Sequence, residues 1–131
     1  MKLFIVDDND QFRRTLKTYL EEHLNYTVIG EASNGEEFIK EMNYSADIIL
    51  MDINMPGING IESVKKAIWY NHSLKFIAIT QFQESVDLKT LIEAGFKGFV
   101  SKTNIHRDIN NAIKSVVNGK LFFSDEMEIQ K

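Results

Sequence analysis

Asp7, Asp8, Asp52, Thr80 and Lys102 are the residues of this chain best equipped for chemistry. Each follows a short apolar run, at residues 3–6, 48–51, 76–79 and 99–101. Such runs read as strands, and in an open parallel sheet the strand ends on one edge converge on a crevice where ligands bind. Three carboxylates, a hydroxyl and an ammonium would then share a small volume. A divalent cation such as Mg²⁺ takes oxygen ligands, commonly one or two carboxylates with several waters. Carboxylates crowded together repel, so at least one of the three should have a raised pKa. Asp52 could act as a nucleophile through its carboxylate and carry a phosphoryl group as a mixed anhydride. Phosphoryl transfer asks mainly for alignment and for neutralisation of three equatorial oxygens. A cation, Lys102 and Thr80 could each take one. Taken singly, an Asp-Asp pair is an ordinary acidic helix start, and a lone Asp, Thr or Lys an ordinary solvated loop residue. The shared edge and the chemical complementarity of the set argue for function.

The elements that must position these groups are legible as an alternation. Candidate strands fall at roughly 2–6, 27–32, 47–51, 75–80 and 97–101, and helical patterns lie between and after them. Phe12, Leu16, Tyr19, Leu20 and Leu24 form one apolar stripe. Phe38, Ile39 and Met42 form a second, and Ile61, Val64 and Ile68 a third. Leu88, Leu91 and Ile92 lead to Gly95, and Ile105, Ile109, Ala112, Ile113 and Val116 complete the series. Asn9 and Asn34 stand where N-caps are expected, and Gly95 and Gly119 where helices close. Five β-α units predict one five-stranded parallel sheet with helices on both faces and right-handed crossovers. The unbroken apolar character of the central runs agrees with strands covered on both sides.

A length of 131 residues suits one domain with a real core. The net charge of −4 argues against a nucleic-acid footprint in this chain. No run approaches the ~18 apolar residues of a membrane span, and no signal peptide opens the chain. The absence of cysteine excludes disulfides, thiolate metal sites and a cysteine nucleophile. A cytoplasmic setting is the expectation.

The stretches Ile5-Val6-Asp7-Asp8-Asn9 and 47–60, with Thr80 and Phe99-Val100-Ser101-Lys102, resemble the receiver domain of two-component response regulators. The Met55-Pro56 pair with Gly60 after Asp52 is the most specific part, and the resemblance covers residues 1 to about 120. It implies a flavodoxin-like fold with strand order 2-1-3-4-5. It also implies that Asp52 is the phosphoacceptor, and that Asp7, Asp8, Asp52 and the backbone carbonyl of Asn54 hold Mg²⁺, with Mn²⁺ as a substitute. Thr80 and Lys102 would contact the phosphoryl group, and Thr80 with Phe99 would form the switch. The implied donor is a sensor histidine kinase or a small acyl phosphate, and the implied response includes homodimerisation.

Two positions depart from the commonest family pattern. Gln81 and Phe82 follow Thr80 where a small residue is frequent, so with Asn54 they are candidates for controlling access to the phosphoryl group. Thr103 follows Lys102 where proline is frequent. Both departures resemble receivers of LuxR-type transcription factors, in which a DNA-binding module follows a linker. Residues 1–120 are therefore expected to be the receiver, and 121–131 a truncated linker to an output module absent from this chain. Leu121 to Phe123 are expected to pack on the body. The chain would catalyse only its own phosphorylation and dephosphorylation. Competing readings are a Mg²⁺-dependent phosphohydrolase with an Asp nucleophile, a phosphorylation-independent module of the same fold, and a stand-alone receiver acting by docking. The hydrolase class carries an Asp-x-Asp motif, whereas Asp52 is followed by Ile53-Asn54.

Overall fold

A computed structural model describes residues 1–41, 45–54, 60–81 and 87–123. Expectations resting on Met42, the Met55-Pro56 pair, Phe82 and residues 124–131 lie outside the described residues. The chain runs β1 (Lys2–Val6), α1 (Asp10–Thr18), β2 (Thr27–Ala32), α2 (Gly35–Glu41), β3 (Ile48–Asp52) and α3 (Gly60–Tyr70). It continues through β4 (Phe76–Thr80), α4 (Leu88–Ala94), β5 (Phe96–Ser101), α5 (Ile105–Val117) and β6 (Phe122–Phe123).

Side-chain parity divides the core into two layers. Phe4, Val6, Ile49, Met51, Phe76 and Ala78 point to the face covered by α2, α3 and α4. Leu3, Ile5, Ile48, Leu50, Ile77 and Ile79 point to the face covered by α1 and α5. Every residue of β3 and β4 is buried, which explains why these strands read as continuous apolar runs ending in a polar residue. In β5 the register shifts between Phe76 and Ile77 of its neighbour, so Phe96 pairs with Phe76 and Gly98 with Ile77. This irregularity lets both Phe96 and Phe99 face the α3–α4 layer.

The caps form as the sequence suggests. Asn9 Oδ1 accepts from Phe12 N at 2.9 Å, and Asn34 Oδ1 accepts from Glu37 N at 2.8 Å. Gly95 and Gly119 take positive φ at the ends of α4 and α5. The apolar stripe of α1 continues through a π-helical turn at Tyr19–His23, with Leu16 and Leu20 as its buried members.

The sheet is parallel in the order β2-β1-β3-β4-β5-β6, so six strands replace the five expected. The extra one is the two-residue β6, which pairs Phe122 with Gly98 and Phe123 with Phe99. Its apolar run is too short to stand out in the sequence. What admits it is Gly98, where a Cβ would lie 3.0 Å from the Phe122 carbonyl oxygen. Phe122 and Phe123 thus join the sheet itself, whereas Leu121, expected to pack with them, stays exposed because it precedes the strand and faces solvent.

Gly98→Val should detach this edge. We expect a loss of about 1–3 kcal/mol in urea unfolding, with fast amide exchange confined to Phe122 and Phe123. Unchanged protection at both amides would show that β6 does not depend on the glycine.

Candidate phosphoryl and cation site

Asp7 follows β1, Asp52 ends β3, Thr80 ends β4 and Lys102 follows β5, so all four stand on the carboxyl edge of the sheet. By parity Asp52 leans toward the α1–α5 layer and Thr80 toward the α3–α4 layer, placing the site astride the edge. Asp7 and Thr80 are 0% exposed and Asp52 3%, whereas Asp8 is exposed. One oxygen each from Asp7, Asp8 and Asp52 lies within 4.8 Å of the others. Asp8, Asn9, Asp52, Asn54, Thr80, Gln81 and Lys102 line an open cavity of about 300 Å³. The three carboxylates, the hydroxyl and the ammonium expected together are together.

Lys102 supplies the countercharge. Its Nζ lies 2.7 Å from Asp7 Oδ2 and 3.4 Å from Asp52 Oδ2. It also stands 4.4 Å from the centroid of the Phe12 ring, whose face favours a cation. Asp7 Oδ1 accepts from Asn9 N at 2.8 Å, while the buried Asp7 Oδ2 has its charge neighbour but no aligned hydrogen bond. A buried carboxylate oxygen in that state, beside two further carboxylates, is the donor set a hard cation requires. The residues therefore fit a divalent ion held by oxygen.

Burial holds the Asp52 carboxyl up at about 6, because the charged form is poorly solvated. The Asn54 backbone N–H, which donates to Asp52 Oδ1 at 2.9 Å, works against that rise. The Asp7 charge adds to it, and Lys102 opposes it. A raised carboxylate pKa was expected from mutual repulsion; desolvation proves the larger cause.

Gly60 entered the sequence analysis only through the resemblance, and the parts played by Arg13 and Phe12 escaped it. Gly60, at the start of α3, packs so closely on the end of β3 that a Cβ would lie 2.3 Å from the Asp52 carbonyl oxygen. Arg13 donates to the Asp7 carbonyl and is held by Asp10 and by Glu31 at 3.1 Å, fixing the β1–α1 turn. Phe12 had the spacing of a plain core residue, and nothing in the sequence separates it from one. Arg13 carried a faint signal, since it lies one turn into the helix that Asn9 caps. Asn54 and Gln81 are at the cavity as expected; Asn54 also donates through its side-chain amide to Thr80 Oγ1 at 2.6 Å. Phe99 is fully buried one strand away, paired with Ala78.

The sequence matches the family described as response regulator receiver domain over residues 3–114. Among curated relatives, the response regulator UvrY of Escherichia coli is 31% identical over 99% of this chain and 60% of its own length. The transcriptional regulatory protein LiaR of Bacillus subtilis is 33% identical over 92% of this chain and 57% of its own. The chain thus spans about 60% of the length of these relatives. Among solved structures, a LuxR-family two-component response regulator from Aurantimonas superimposes with a TM-score of 0.88 at 25% identity, covering 98% of this chain and 93% of that one. The isolated receiver of RcsB from Salmonella enterica, solved with a beryllium fluoride phosphomimetic, gives 0.86 at 23% identity, covering 99% and 97%, and shares the fold. The chain belongs to the response regulator receiver domain family, and its likeness lies with receivers of the LuxR type.

The buried Asp52 charge predicts a stability signature. The native carboxyl binds its proton more tightly than the unfolded one, so the group's penalty is full above about pH 6 and fades as pH falls toward the ordinary value of 3.8. Without divalent cations, Asp52→Asn should stabilise the fold at pH 7.5 by about 1–3 kcal/mol, an advantage that shrinks by pH 4. An advantage independent of pH would contradict the assignment of the penalty to this carboxylate.

Proposed function

We propose that this chain is a phosphorylation-driven switch with Asp52 as phosphoacceptor. The observation that carries the reading is a buried carboxylate with a raised proton affinity, facing an open cavity between an ammonium and two further carboxylates. Asp52 Oδ attacks the phosphorus of a phosphohistidine or an acyl phosphate. A new O–P bond forms as the P–N or P–O bond to the donor breaks, and the donor leaves with the electron pair. Asp7, Asp8 and Asp52, with the Asn54 carbonyl, would hold Mg²⁺ or Mn²⁺, which when bound neutralises charge on the transferring group. Lys102 is close enough to Asp52 to release part of its pairing and follow the new negative charge. Thr80 would turn its hydroxyl toward a phosphoryl oxygen.

The output follows from the neighbours of Thr80. Phe76, Ala78 and Thr80 alternate along one face of β4, and Phe99 stands opposite Ala78. A shift of Thr80 clears space beside a side chain no larger than a methyl, and Phe99 can occupy it. The modification adds about −1.5 to −2 charge, ample to bias two arrangements differing by ~1–3 kcal/mol. The donor in this reading is a sensor histidine kinase. In this reading the output is transcriptional, through a DNA-binding module such as the relatives of the LuxR type carry, and the modified receiver pairs with a second copy. Activity is confined to the chain's own phosphorylation and dephosphorylation, in a cytoplasmic setting. Among the described residues no helix is long and apolar enough to cross a membrane.

Acetyl phosphate with Mg²⁺ should add one phosphoryl group per chain by intact mass, and Asp52→Asn or chelation of the cation should abolish it. Continued stoichiometric labelling of Asp52→Asn would reject the site, and multiple turnover of a phosphomonoester would favour a hydrolase. Thr80→Ala should still accept the label yet lose at least half of any phosphorylation-induced dimer on gel filtration. Full dimerisation in that variant would remove Thr80 from the switch.

A further inference from the structure

Asn54 makes two bonds that join the ends of β3 and β4. Its backbone N–H donates to Asp52 Oδ1 at 2.9 Å, and its side-chain amide donates to Thr80 Oγ1 at 2.6 Å. The second is short for an N–H···O bond. It runs inward from the cavity rim, since Asn54 is exposed and Thr80 is fully buried. One residue therefore grips both the carboxylate to be modified and the hydroxyl that responds. Resting on the reading of Asp52 and Thr80 above, we infer that the Asn54 amide is a latch. It donates to the Thr80 oxygen and holds the side chain in its resting position until a phosphoryl group on Asp52 accepts from the hydroxyl and draws it away from Asn54.

The physical case rests on differential interaction. A contact present only in the resting arrangement shifts a two-state equilibrium toward rest by its own free energy. Thr80 must reorient toward Asp52 to donate to a phosphoryl oxygen, whereas the Asn54 amide keeps the hydroxyl oxygen facing the rim. The residue type suits the role. An amide donates without charge, so it neither repels an incoming phosphoryl group nor competes with Lys102 for it. A carboxylate at this position could not donate to Thr80 and would add to the negative charge of the cluster. A single neutral hydrogen bond of ordinary net strength corresponds to a bias of about 3–10-fold. Asn54 is in this sense a positioning residue that acts through Thr80, in addition to any contribution of its carbonyl to cation binding.

The test is a double-mutant cycle on the full chain with Asn54→Ala, Thr80→Ala and the pair, read by beryllium fluoride titration with Mg²⁺ and by NMR of the unmodified protein. Asn54→Ala should bind beryllium fluoride about 3–10-fold more tightly. In the Thr80→Ala background the same change should alter affinity less than about twofold. In the unmodified protein, Asn54→Ala should average the Thr80 χ1 couplings and broaden the Phe99 ring signals, and Asn54→Asp, which keeps the size but not the donor, should do the same at Thr80. Weaker binding by Asn54→Ala, an undiminished effect without the Thr80 hydroxyl, or unchanged Thr80 couplings would each overturn the latch. Failure of the wild-type chain to take beryllium fluoride at Asp52 would instead sink the phosphoreceiver reading. The resting-state couplings at Thr80 would then show only whether the Asn54 amide holds the hydroxyl, and unchanged couplings would overturn that hold as well.

Discussion

The structure turns on a negative charge kept out of water at the end of β3. Asp52 sits beside Asp7 with Lys102 between them, and the cavity above stays open. A site of this kind is unstable toward protonation and receptive to a cation or to a group that converts the carboxylate into an ester-like anhydride. The surrounding features can be read as devices that keep the charge in place without quenching it. Asn9 satisfies one oxygen of Asp7, Asn54 satisfies one of Asp52, and Phe12 keeps the ammonium poised over both carboxylates.

Rigidity behind the site comes from close approach. Gly60 lets the start of α3 press against the Asp52 backbone, and Arg13 ties the Asp7 carbonyl to β2 through Glu31. The carboxylates are thereby anchored from two sides, one on each layer of helices. Thr80 presents its hydroxyl to the cavity, and its strand mate Ala78 leaves Phe99 beside a small neighbour. In the proposed switch the carboxylate stays fixed and Thr80 moves, so that a change in charge is converted into displacement.

One rival differs at a single position: a hydrolase of the Asp-x-Asp class carries a second acid two residues after its nucleophile, where Asn54 stands here. A phosphorylation-independent module would have no reason to bear the cost of the buried Asp52 charge.

Much of this was legible in the residue order. Apolar runs ending in Asp, Thr and Lys, separated by helical stripes with Asn caps, determine a doubly covered parallel sheet with those groups on one edge, because strand direction and crossover hand leave few other arrangements. Chemical type then determines what they can bind. Tertiary structure decided what periodicity cannot encode. It recruited Phe12 from a core stripe into the site, and it put desolvation ahead of repulsion as the cause of the Asp52 shift, since burial is a property of packing. It also added β6, a run of two residues whose pairing depends on the bare backbone of Gly98 some twenty residues earlier in the chain. Side-chain hydrogen bonds such as that from Asn54 to Thr80 belong to the same class: each residue was singled out for a separate role, and only their convergence at neighbouring strand ends makes them a pair.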